Sequence, residues 1–169
     1  MALKGSGSDV TSSFITAAAA DPDGVSTAAA VGNNAALTLG GALASGGSVT
    51  FDSPRNVIIL SGGDDSAISF TVVGTDESGT AATESITGAD TGTATGTKFF
   101  TTITSITAVG DPAGNVSAGS GTSCCGVISV ARCRLRGIYV VNGSSAATIV
   151  FREGSGTGTI KMQFATVAG

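Results

Sequence analysis

Residues 67–73 read Ala-Ile-Ser-Phe-Thr-Val-Val, and this run decides the fold class of the chain. Ile68, Phe70 and Val72 alternate with Ser69 and Thr71. On an extended backbone the apolar side chains therefore point one way and the hydroxyl groups point the other way. Alternation with a period of two is typical of a strand that covers a core with one face. The run predicts such a strand.

The residues around this strand extend the pattern in both directions. Asp76-Glu77-Ser78-Gly79 follows it as a hairpin signature, because glycine adopts positive φ without steric cost. Residues 80–87 then alternate again, which predicts the second strand of a hairpin. Upstream, residues 56–60 read Asn-Val-Ile-Ile-Leu, and a continuous apolar run is expected for a strand that is covered on both faces.

Further short strands are predicted on both sides of this hairpin, with Gly, Asn, Asp and Ser between them. They cover residues 36–39, 47–51, 98–109 (as a pair of strands), 126–131, 133–141, 147–151 and 159–165. Two polar, glycine-rich stretches are predicted to be irregular: residues 88–96 as a loop, and residues 117–123 as a linker or long loop. Helical periodicity is nearly absent, and residues 10–20 fit a short helix or an extended arm equally well.

Many short strands without helices predict an all-β protein with a β-sandwich or jelly-roll-like arrangement and an extended N-terminal arm. We expect the arm in residues 1–34 and the sandwich core in residues 35–118. Residues 119–169 are expected to form a C-terminal β-meander that completes the sandwich or makes a small second sheet. The segment Asp21-Pro22-Asp23-Gly24 is interpreted as a turn that redirects the arm.

The composition favours a protein that assembles. Only 12% of the 169 residues are charged, the mean hydropathy is +0.38 and the formal net charge is −4. Low charge weakens the repulsion that keeps proteins apart, so such a surface is most easily explained if other subunits cover it. No basic block offsets the acidity, which argues against nucleic-acid binding. The sequence predicts neither a membrane span nor a signal peptide, and hence synthesis in a host cytoplasm.

Enzyme chemistry is not predicted. The chain has no histidine, which removes the commonest general base and metal ligand. The acidic pairs Asp64-Asp65 and Asp76-Glu77 lie in predicted turns, where Asp is favoured for hydrogen bonding to the backbone. Residues 92–98 lack the residue order of a phosphate-binding loop. We expect no catalytic residue, no cofactor and no metal.

Two groups of residues carry open alternatives. Arg132, Arg134 and Arg136 share one face if their segment is a strand, and they predict either a partner-binding stripe or an ordinary solvated face. The thiols of Cys124, Cys125 and Cys133 are interpreted as buried and reduced. A three-thiolate zinc site is the alternative, and it would need a fourth ligand from a carboxylate or from another chain.

Several segments of the chain resemble small virion proteins of tailed bacteriophages. They lie in residues 37–43, 49–57, 70–76, 84–88, 98–106, 137–140 and 147–154, and the resemblance covers most of the chain from about residue 20 onward. It implies a place in the virion without implying one role, and it carries no catalytic residues to transfer. Within that group we expect a capsid decoration (cement) protein, a homotrimer that binds the major capsid protein at the capsid surface.

Two alternatives stay open at this point. The first is a tail or head–tail connector component, in which the same β-modules form a ring. The second is a carbohydrate-binding module of a host-adhesion device, although sugar platforms rely on exposed aromatic rings and the chain has no Trp and a single tyrosine, Tyr139.

Overall fold

The computed structural model describes residues 19–127, 140 and 146–167. These residues contain nine strands and no helix. The strands are β1 (Asp21–Ala30), β2 (Ala44–Ser45), β3 (Ser48–Asp64), β4 (Ser69–Thr75), β5 (Ala81–Thr87), β6 (Asp90–Val109), β7 (Asn115–Cys124), β8 (Thr148–Arg152) and β9 (Ile160–Ala165). The all-β prediction is confirmed.

Seven of the strands form one antiparallel sheet in the order β1-β7-β3-β6-β4-β5, with β2 paired to β3. The two ends of this order are β1 and β5. Strands β8 and β9 pair with each other as a separate two-stranded sheet.

The two longest strands bend the main sheet. The pairing of β3 with β6 is interrupted between Thr50 and Arg55 and again between Asn56 and Ile58. Bulges of this kind increase the local twist and turn a strand through a corner. One half of the sheet then contains β1, β7 and the second part of β3, and the other half contains β4, β5 and the second part of β6. This folded antiparallel arrangement is consistent with a β-sandwich.

A single apolar core lies between the two halves. It draws side chains from β1, β3, β4, β5, β6 and β7, and its largest fully buried members are Phe70, Phe100, Ile59, Ile103 and Ile106. The alternation predicted for residues 67–73 is observed, because Phe70 and Val72 are completely buried while the residues between them face outward. The run at 56–60 is buried from Asn56 through Ile59, as expected for a strand covered on both faces.

The predicted linker at residues 117–123 is wrong, because these residues belong to β7, an interior strand of the sheet. Val116 through Gly121 are all buried. Small side chains are needed here because β1 passes very close. A Cβ atom built on Gly119 would overlap the carbonyl oxygen of Asp21 and the backbone of Pro22. Glycine and serine therefore reflect close packing of backbones and not flexibility.

The predicted loop at residues 88–96 is also wrong, since β6 begins at Asp90. Thr93, Ala94 and Thr95 pair with Leu60, Ile59 and Ile58, and Ala94 packs against the core. Residues 98–109, which were predicted as a pair of strands, are the second half of the same strand. The strand was missed because its inward-facing residues are small, and a sequence rich in Thr and Ala lacks the large apolar side chains that indicate a buried strand.

The N-terminal prediction meets the structure only from residue 19 onward, since residues 1–18 lie outside the described residues. Asp21, Pro22, Asp23 and Gly24 are not a turn, because they begin strand β1, which pairs with β7. In the C-terminal part, β8 and β9 confirm the strands predicted at 147–151 and 159–165. Most of the other two predicted strands lies outside the described residues.

Candidate interaction surface

The outer face of β4, β5 and the second half of β6 consists mostly of hydroxyl side chains, which occupy nine of its twelve positions. The pairing register places the twelve positions in four rows across the three strands. From one end to the other the rows are Ala81–Thr75–Thr102, Thr83–Val73–Ser105, Ser85–Thr71–Thr107 and Thr87–Ser69–Val109. We call this surface the hydroxyl face. None of these twelve positions carries a charged residue.

The local sequence produces this face through strict alternation. In β5 the side chains of Glu84 and Ile86 are buried, so Thr83, Ser85 and Thr87 must point outward. Threonine suits these positions because its branched Cβ packs well on a pleated surface. Two hydroxyl groups also brace the face, since Thr75 Oγ1 lies 2.7 Å from Thr102 Oγ1. With neighbouring strands about 4.8 Å apart and alternate residues about 6.8 Å apart, the face measures about 14 Å by about 27 Å.

Strand β5 forms one edge of the main sheet, where among the described strands it pairs only with β4. Asp76 N–H donates to the Thr80 carbonyl and Gly88 N–H donates to the Ile68 carbonyl, so even-numbered residues bond toward β4. Along an antiparallel strand, the backbone N–H and C=O groups of successive residues point alternately to one side of the strand and to the other side within the sheet. The odd-numbered residues, Thr83, Ser85 and their neighbours of the same parity, therefore direct their N–H and C=O groups to the open edge.

Strand β1 forms the other edge of the sheet and differs in several respects. Its pairing with β7 is interrupted twice, and it carries Pro22 and the exposed Asp23. A neighbouring loop also covers part of it, because Gly41 N–H donates to the Val25 carbonyl at 3.2 Å and Leu43 N–H donates to the Gly24 carbonyl at 2.7 Å. Bulges, proline, charge and loop cover are the usual devices that protect an edge from pairing. By contrast, the β4–β5 pairing is uninterrupted, and one charged group lies at its edge among the described residues: Lys98 Nζ donates to the Thr83 carbonyl at 2.7 Å.

Two of the four acidic residues predicted to organise turns, Asp64 and Asp76, accept hydrogen bonds from their own turns. Asp76 Oδ1 accepts from Ser78 N–H and Thr80 N–H, each at 2.9 Å, and from Ser78 Oγ at 2.7 Å. The Ser78 hydroxyl is the main reason that the pKa of Asp76 is lowered. Asp64 makes the same kind of turn with Ser66, whose hydroxyl lowers the pKa of Asp64. These carboxylates organise turns.

Glu84 is a buried carboxylate that joins β5 to β6. Its Oε1 accepts from Thr97 N–H at 2.6 Å, from Thr97 Oγ1 at 2.9 Å and from Lys98 N–H at 3.1 Å. Both backbone donors lie where the β3–β6 pairing is interrupted, so they have lost their ladder partners. From the neighbouring strand, Asn56 donates to the Gly96 carbonyl at 3.4 Å on the same bulge. Glu84 therefore satisfies a bulge and holds the open edge strand in place.

Two further buried charged residues also hold the chain together. Arg55 is only 3% exposed, and its Nη1 donates to the Ala19 carbonyl at 3.2 Å while its Nε lies 3.9 Å from Asp52. Asp65 is fully buried and its Oδ1 accepts from Ala113 N–H at 2.7 Å, which ties two turns together. Neither residue lies on the hydroxyl face.

The described cysteines, Cys124 and Cys125, are free and half-buried. Burial is the main reason that the pKa of Cys125 is raised to about 12, and burial also raises the pKa of Cys124. Thiols of this kind are poor nucleophiles and poor metal ligands at neutral pH. Within residues 19–127 and 146–167 no group of three or more potential ligands is placed to hold a metal ion. Cys133 lies outside the described residues.

Two open depressions flank the turn between β8 and β9. One is lined by Glu77, Lys98 and Thr157 among others, and the second by Asn56, Ser123 and Arg152 among others. Gly156 N–H donates to Glu77 Oε1, so this turn contacts the main sheet beside the β4–β5 hairpin.

The predicted stripe of Arg132, Arg134 and Arg136 lies outside the described residues, so its role stays a prediction. The structure instead shows the hydroxyl face, none of whose residues the sequence indicated as part of a site. Its signal in the sequence is the recurrence of Ser or Thr on the outward-facing positions of three separate strands, most regularly at Thr83, Ser85 and Thr87.

Comparisons with known proteins add no relative. No protein-family model matches the chain, and searches of curated proteins and of solved structures found no match either. In the part of the chain that the structure describes, no helix is both long and apolar enough to pass through a bilayer.

Proposed function

We propose that this chain is a structural protein of a tailed-bacteriophage virion, a homo-oligomeric decoration protein that binds the major capsid protein on the outside of the head. The observation that carries the proposal is the hydroxyl face, an uncharged surface that spans three paired strands of the main sheet. Such a face suits docking onto another protein surface, because it excludes no partner by charge and offers many small hydrogen-bonding groups.

The described polar residues support a binding role over catalysis. Glu84, Asp65 and Asp76 each accept hydrogen bonds from the chain's own backbone, and the described thiols have raised pKa values. The resemblance in sequence motifs to small phage virion proteins supplies the setting, and the low charge fraction supports assembly. A shell under internal DNA pressure gains from many weak contacts that form at the same time.

The first experiment counts copies. Quantitative mass spectrometry of purified particles gives the ratio of this chain to the major capsid protein. A ratio near that of a shell-wide protein supports the decoration role. A few copies per particle would place the chain in the tail or the head–tail connector, and absence from particles would overturn the virion proposal.

A second experiment tests the surface itself. Thr71→Lys places an ammonium group at the centre of the hydroxyl face, and we expect it to weaken co-sedimentation with particles by about tenfold or more. Leu60→Lys is the matched control, since Leu60 is exposed on the other half of the sheet. Equal binding by the two variants would remove the hydroxyl face from the interaction.

A further inference from the structure

The open edge of β5 is a template for a second copy of the same strand. Thr83, Ser85 and Thr87 direct backbone donors and acceptors outward, and their exposed side chains are small and neutral. The opposite edge at β1 has bulges, a proline, an aspartate and a covering loop, whereas β5 has none of these and carries one charged contact, Lys98 Nζ on the Thr83 carbonyl. We infer that two copies of this chain pair β5 with β5, antiparallel, about a two-fold axis at Ser85, which gives a pair and not the homotrimer expected from the resemblance.

Charge disfavours two neighbouring registers that would also keep the outward-bonding residues opposite each other. A two-fold axis at Glu84 would bring two buried carboxylates into direct opposition, and like charges at that position are destabilising. An axis at Thr83 would bring together the two Lys98 ammonium groups that lie on the Thr83 carbonyls. With the axis at Ser85, Glu84 lies opposite Ile86, and Thr83 lies opposite Thr87.

The pairing has a consequence for the hydroxyl face. Antiparallel strands that pair edge to edge continue one sheet, so both hydroxyl faces point to the same side. One face covers about 400 Å² by the strand spacings, and two coplanar faces cover about 800 Å². A standard protein–protein interface buries about 800 Å² on each partner. A two-fold pair therefore presents a surface of the size that a stable contact needs, which deepens the proposed function and rests on it only for the identity of the target.

Three variants test the pairing without any capsid present. Ser85→Lys places two ammonium groups against each other at the axis, and we expect it to raise the dissociation constant of self-association by about tenfold or more in sedimentation velocity. Thr27→Lys is the matched control, because Thr27 is exposed on the guarded edge strand β1. Ser85→Cys should form a disulfide-linked dimer under mild oxidation, since directly paired Cα atoms about 5.5 Å apart suit a disulfide.

The cross-linking experiment needs a control cysteine that does not lie on the edge strand. Thr71→Cys is the control for cross-linking, because Thr71 shares a row with Ser85 but lies on the interior strand β4. A wild-type chain that stays monomeric at high concentration would overturn the inference. So would an oligomer that Ser85→Lys leaves intact, or cross-linking of Ser85→Cys no greater than that of Thr71→Cys. Loss of pairing in Ser85→Lys with capsid binding retained would overturn the two-copy docking arrangement alone. Self-association of the wild-type chain without any capsid binding would overturn the capsid proposal alone.

Discussion

The two edges of the main sheet, β1 and β5, differ in how far their backbone groups are protected from pairing with another strand. Both strands have backbone groups on one side with no strand beside them among the described residues. Yet β1 is bulged, carries Pro22 and is partly covered by the loop at Gly41 and Leu43, whereas β5 is regular and open. This comparison shows that the low charge of the chain does not by itself define an interaction surface, because the regularity of the backbone also decides which edge strand can accept a partner.

The largest effect is expected on the open side, at the residue that anchors β5. Glu84→Ala leaves the N–H groups of Thr97 and Lys98 without an acceptor, so we expect the free energy of unfolding to fall by about 3 kcal/mol. Urea denaturation measures the loss, and amide hydrogen exchange should show faster opening of β5 than of β1. Glu84→Gln keeps an accepting oxygen and should lose less. Equal losses in the two variants would mean that the hydrogen bonds do not hold the edge.

A smaller effect is expected on the guarded side. Gly119→Ala forces a methyl group against the carbonyl oxygen of Asp21, so β1 must shift and the free energy of unfolding should fall by about 2 kcal/mol. Hydrogen exchange should accelerate in β1 while β5 stays protected. Gly40→Ala is the control, because the added Cβ there meets only the Thr38 methyl group at 3.8 Å. Unchanged protection of β1 would show that the close approach at Gly119 is not what positions this strand.

The smallest expected effect is a pH-dependent loss of stability at the turn that leads into β5. Asp76→Ala removes the acceptor for three donors in the turn that leads into β5, and we expect a loss of about 1 kcal/mol at neutral pH. The pKa of Asp76 is lowered in the folded protein, so its contribution is present above the unfolded pKa and is lost as the pH falls through the folded pKa. The stability difference between wild type and variant should be constant above about pH 5 and should shrink below about pH 4.

The same measurement at a second turn provides the control for that prediction. Asp64 has a lowered pKa and accepts only from Ser66, so Asp64→Ala should follow the same pH trend with a smaller change. A difference for Asp76 that grows on acidification would contradict the assigned cause of its lowered pKa.

Sequence reasoning succeeded where side-chain alternation was strong and failed where backbone contact replaced it. The hairpin of residues 67–87 and the doubly covered run near Ile58 were predicted correctly, because apolar periodicity reports burial directly. The strands at residues 90–96 and 117–123 were missed, because Gly, Ser, Thr and Ala are also the residues of loops. The hydroxyl face could be predicted only in part, because a sequence shows alternating threonines but does not show which strands lie side by side.

The sequence by itself therefore determined the all-β class, the positions of the strongest strands and turns, and a surface poor in charge, because each of these follows from the order and polarity of neighbouring residues. Only the tertiary structure decided that β7 is interior, that Glu84 completes a bulge, and that β1 is guarded while β5 is open. These features depend on contacts between residues far apart in the chain, such as Asp21 with Gly119, and no local pattern encodes them.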